Sequence, residues 1–120
     1  MNYEQTELIK EKMIKLWNIV EYEDSIYPAY IECIQYLIIE APALLQDNAG
    51  LILSKSLETI RKQIDLIMKQ KGSEVDRNLI YLSYDCISAL AANYSASFEE
   101  QAANTDMIPL LKKMTEINES

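Results

Sequence analysis

The chain contains no histidine. That removes the side chain most often used as a general base near neutral pH, and with it the commonest metal ligand. Ser-His-Asp and Cys-His nucleophile arrangements are excluded at the same stroke. Cysteine is scarce too: Cys33 and Cys86 stand alone and far apart. They make no zinc site without further ligands, and two thiols imply no disulfide framework. The two glycines, Gly50 and Gly72, are isolated, so no glycine-rich loop can cradle a phosphate. Two glycines and three prolines also argue against disorder and against many tight turns. No apolar run approaches the ~18 residues that a membrane span needs, so no membrane partner is expected. The opening residues Met1-Asn2-Tyr3-Glu4-Gln5 are polar and acidic, unlike a secretory signal. With two reduced thiols, these features point to the cytoplasm.

What is present fits one globular domain across residues 1–120: 49% hydrophobic and 25% charged residues over 120 positions. The net charge is -8. Phosphate binding needs a basic footprint, so nucleic acid is disfavoured as a direct partner. A basic protein surface, which acidic side chains steer in, is permitted. The plainer reading is that the charge serves solubility. It is unevenly placed: Met1–Ser54 carries -6, Lys55–Lys71 carries +3 and Glu74–Asp106 carries -5.

Apolar spacing is helical throughout. The stretch Leu51 to Tyr94 reads as two long helices folded back at Gly72-Ser73. Leu53, Leu57, Ile60, Ile64, Ile67 and Met68 make the first stripe. Val75, Leu79, Leu82, Cys86, Leu90 and Tyr94 make the second, with Ser73 as N-cap and Asp76 at its N3 position. A helix from about Tyr3 to about Glu21 buries Ile9, Met13, Leu16, Trp17 and Val20. Another starts between Ser25 and Pro28, with Pro28 in its first turn, and runs to about Glu40 before Pro42. It is apolar nearly all round, so it is central in the bundle or shows one face to a partner. After Tyr94 a short helix to about Ala103 or a continuation is expected. A last helix then carries Ile108, Leu111, Met114 and Ile117, with Pro109 in its first turn. The expected fold is all-α: a compact, mostly antiparallel bundle of about five helices. The echo Glu32-Cys33-Ile34-x-x-Leu37 and Asp85-Cys86-Ile87-x-x-Leu90 is too short to establish a duplication.

Carboxylate pairs are the one catalytic route left. Glu4 with Glu7 and Glu21 with Asp24 have the spacing of magnesium-holding pairs. On one straight helix, however, they stand about 20 Å apart and cannot share an ion. No catalytic, metal or cofactor residue is assigned. Two lysines of the Leu51 helix have acidic partners four residues earlier, Glu58 for Lys62 and Asp65 for Lys69, as on a solvated face.

The most suggestive segment is Glu21 to Glu32. Glu21, Glu23, Asp24 and Glu32 surround Tyr22, Tyr27 and Tyr30. Tyrosine combines contact area with a polar tip and is enriched at interface hot spots, and carboxylates orient docking to a basic surface. Alternatively, Tyr27 and Tyr30 brace a turn while the acids face water. Eight tyrosines against one phenylalanine is an unusual choice for a dry core. The expected function is therefore binding rather than catalysis: a bacterial immunity or antitoxin-type inhibitor that blocks the basic site of a toxin or effector, for instance a nuclease. The alternatives are a structural or regulatory module that homodimerises, and a magnesium-dependent carboxylate enzyme.

Overall fold

The computed structural model describes residues 3–20, 26–69 and 75–119. Among them are α1 (Tyr3–Val20), α2 (Tyr27–Glu40), the single turn α3 (Pro42–Leu45) with a 3-10 turn Gln46–Asn48, α4 (Ala49–Met68), α5 (Arg77–Asn93), α6 (Ser95–Ala103) and α7 (Met107–Glu119). The described residues are all-helical, with six main helices where the apolar spacing led us to expect about five. The extra one comes from a break at Tyr94, whose hydroxyl donates to the Pro42 carbonyl at 2.6 Å and holds the chain where α5 gives way to α6.

α4 is the spine. Ile52, Leu53, Leu57, Ile60 and Ile64 are buried along one side, as their three- and four-residue spacing requires. It starts at Ala49, two residues earlier than Leu51, because the chain coils through α3 and the 3-10 turn directly into it. Its Met68 is exposed, so the last member of the expected stripe lies outside the core. α5 runs back along α4: the Asp76 amide donates to Gln63 Oε1 at 2.8 Å, joining the end of one helix to the start of the other. Asp76 is itself the N-cap, its carboxylate accepting from the Leu79 amide at 3.2 Å. This corrects the expected Ser73 cap. The helix begins at Arg77, so Asp76 supplies the capping oxygen; Gly72 and Ser73 lie outside the described residues.

α2 packs beside α5 and in the same direction. Cys86 Sγ lies 3.9 Å from the Ile31 carbonyl, and Tyr94 reaches Pro42 further along both helices. The two echoing segments are therefore neighbours, but they are not equivalent: Cys33 is exposed and Cys86 buried. Ile31, Ile34 and Ile38 of α2 meet the α4–α5 pair in the centre of the core. α7 closes one side with Met107, Leu110 and Met114, and Arg61 of α4 is paired with Asp106 just before it. The Arg61 hydrogen bond holds the Asp106 carboxyl below its ordinary range. α1 is held through Trp17, and the side chains of Ile9 and Val20, expected in the same stripe, lie outside the described residues. Trp17 is 1% exposed, but Met13 is only half-buried, and Leu16, expected in the buried stripe, faces outward.

Candidate binding surface

The structure divides the Glu21–Glu32 segment between interior and surface. Glu21, Tyr22, Glu23 and Asp24 lie outside the described residues. Tyr27 is buried, and its hydroxyl shares a 2.7 Å hydrogen bond with Thr59 Oγ1 of α4. Tyr30 is buried as well. Its hydroxyl donates to the Met13 carbonyl, and its ring meets Trp17 edge-on at 5.4 Å and 73°. Burial pushes the Tyr30 phenol well above its ordinary value, with Cys33 and Tyr27 adding to the effect. These two rings pin α2 to α4 and to α1, the bracing role, and do not stand on the surface. Glu32 is exposed on the far side of α2.

That far side is the surface the segment does present. With one residue every 100°, burying Tyr27, Tyr30, Ile31, Ile34 and Ile38 forces positions 29, 32, 33, 36, 39 and 40 outward. They are Ala29, Glu32, Cys33, Tyr36, Ile39 and Glu40. Tyr36 is 63% exposed and Ile39 51%. α2 contains no lysine or arginine, so its outer face is apolar in the middle and negative at its edges. Glu32 and Glu40 form no ion pair among the described residues. The near-uniform apolarity of this helix signalled such a face. The residues that form it, Tyr36 and Ile39, could be chosen only once the inward side was known. Tyr81 of α5 is also exposed, whereas Tyr84 is half-buried against the core and burial raises its phenol.

α1 presents a second open face. Leu8 is 54% exposed and Ile19 63%, on the side opposite Trp17, with Leu16, 44% exposed, at the edge of that face. On its inner side an open groove of about 630 Å³ separates α1 from the turn before α4. Lys10 spans it, 3.3 Å from Glu7 and 3.5 Å from Asp47. Partial burial works against the Lys10 charge, but the two carboxylates outweigh it and its value is raised. The expected Glu58–Lys62 and Asp65–Lys69 pairs are present at 3.5 and 2.9 Å, and Glu11–Lys15 of α1 pairs in the same way at 3.1 Å. All are on solvated helix faces, where such pairs contribute about 0.3–0.5 kcal/mol each.

Among the described residues no three Cys, Asp or Glu side chains gather as a metal ion would require, and no helix is long and apolar enough to cross a membrane. The Cys86 thiol is pushed up to about 12 by burial. It is a core residue and a poor nucleophile, since the thiolate is the reactive form. Comparison with protein-family models, curated proteins and solved structures finds no match to this chain.

Proposed function

We propose that this chain is a small acidic binding protein and that it docks a basic partner on the outer face of α2. The observation that carries the reading is Tyr36, 63% exposed, and Ile39, 51% exposed, set between Glu32 and Glu40 on a helix without a cation. Covering two such side chains gains on the order of 1–2 kcal/mol each. The flanking carboxylates add orientation and association rate more than affinity. In this reading Tyr27 and Tyr30 hold α2 rigid, which lowers the entropy lost on docking. In its most specific form the partner is a toxin or effector with a cationic groove, and the carboxylates of this chain stand where phosphates would go. The net charge of -8 and the small size support that form.

The test is capture of a basic protein from the native host by tagged protein, with Tyr36→Ala/Ile39→Ala alongside. Wild type is expected to retain the partner, and to capture it more slowly at about 1 M salt, where charge attraction is screened within ~3 Å. The double variant is expected to lose about tenfold or more in affinity. Equal capture by both proteins would place the contact elsewhere. A second reading, a module acting through homodimerisation, is favoured by the open apolar side of α1.

A further inference from the structure

We infer that, when no foreign partner is bound, the outer face of α2 is occupied by the outer face of α1 from a second copy of this chain. The inference rests on the reading of α2 as a docking surface and names one occupant for it.

α1 has two apolar sides, and among the described residues the outer one stays exposed. The inner side places Trp17 in the core. The outer side repeats at intervals of four, three and four: Leu8, Lys12, Lys15 and Ile19, with Leu16 beside them, all exposed. Those intervals keep a seam of side chains facing a partner helix along its length. The outer side of α2 repeats at the same intervals: Ala29, Cys33, Tyr36 and Glu40, flanked by Glu32 and Ile39, again all exposed. Each seam covers 11 residue steps, about 16 Å at the helical rise. Small Ala29 and Cys33 leave room for the large Leu and Ile of α1.

Charge selects this pairing over its rivals. Two copies of the α2 seam would bring four glutamates together with no cation in either helix. Two copies of the α1 seam would bring four lysines into one contact, with only the Lys15 pair offset by Glu11. The mixed pair sets lysines against glutamates and the ring of Tyr36, whose face attracts a cation. Among the described residues Lys12 has no ion pair within its own chain, and neither has Glu32 or Glu40. Lys15 is already bound to Glu11 at 3.1 Å and contributes the smaller share. A twofold arrangement makes the contact reciprocal, α1 of each copy lying on α2 of the other. The overall charge of -8 opposes approach, so association is expected to strengthen from very low to physiological salt, where the screening length falls from ~30 to ~8 Å.

Sedimentation equilibrium on the full chain tests this. Wild type is expected to dimerise at tens of micromolar, a weak contact in keeping with its short seam. Lys12→Glu/Lys15→Glu is expected to weaken the dimer about tenfold or more, as like charges then meet across the contact. Glu32→Lys/Glu40→Lys is expected to do the same by itself. An equimolar mixture of the two reversed proteins is expected to restore association as a mixed dimer, because both α1–α2 contacts then pair Glu with Lys. Unchanged far-ultraviolet dichroism checks the fold, and all four positions are exposed. A wild type that stays monomeric to about 1 mM overturns the inference, as does a dimer indifferent to both reversals. Neither result touches foreign capture through Tyr36 and Ile39, which is measured separately.

Discussion

Ile38 and Ile39 are adjacent residues of the same type on α2, yet the structure gives them opposite duties. Ile38 is 0% exposed and Ile39 is 51% exposed. Ile38→Ala removes three carbons from a packed interior, which loses the transfer free energy and leaves a cavity that the surrounding helices only partly fill. The expected cost is about 2–5 kcal/mol. Ile39→Ala removes the same atoms from a side chain already half in water. Its burial loss is about 1 kcal/mol, and alanine's better helix propensity returns several tenths of that. The expected net change is within about 0.5 kcal/mol of zero, as for other surface substitutions. For a chain of this size each kcal/mol moves Tm by about 4 °C, so the first variant should melt about 10 °C or more below the second. Urea and thermal unfolding followed by circular dichroism measure both. Equal destabilisation would mean that Ile39 is covered within the monomer, and the outer face of α2 would vanish with it.

Three further outcomes follow from the same geometry. A thiol reagent at pH 8 should titrate one equivalent, the exposed Cys33, in the native protein. Cys86, pushed up to about 12 by burial, should appear only on unfolding. Tyr27→Phe should cost about 1–2 kcal/mol in urea unfolding, because Thr59 loses a buried partner, whereas Tyr36→Phe should cost almost nothing. Stability should fall as pH rises above ~10. The Tyr30 phenol ionises freely in the unfolded chain but is held neutral by burial in the folded one, so its contribution is complete below the ordinary value and is lost on the way up to the raised one. Tyr30→Phe should flatten that alkaline slope in a pH series of urea midpoints.

Much of the fold was legible because helices bury by period. The stripe Leu53, Leu57, Ile60 and Ile64 lies in the core as its spacing demands, Pro28 sits in the first turn it favours, and α2 ends at Glu40 before Pro42. The features left open or misplaced depend on tertiary contact. After Tyr94 the spacing allowed a short helix to about Ala103 or a continuation, and the short helix is found where the Tyr94 hydroxyl reaches across to Pro42. Leu16 fits the inward stripe of α1 by spacing, but α1 turns Trp17 into the body, and Leu16, 100° further round the helix, is left outside. The site divided in the same way. The acidic and aromatic character of the chain around α2 was readable, and Glu32 is on the open side. Which tyrosine stood inside was not: Tyr27, Tyr30 and Tyr36 differ only in angle around the helix axis. α4 and α1 claim the first two and leave the third.

Cys33 sits in the middle of the open seam, between Ala29 and Tyr36, and so reports directly on whether anything covers it. The decisive measurement is the rate of Cys33 alkylation in dilute purified protein and in native host extract, read by mass spectrometry, with buried Cys86 as the internal control for unfolding. If the outer face of α2 is a docking surface, modification of Cys33 should slow about tenfold or more in the extract, and Tyr36→Ala/Ile39→Ala should abolish the difference. The same rate in both settings, with Cys86 silent throughout, would contradict the account.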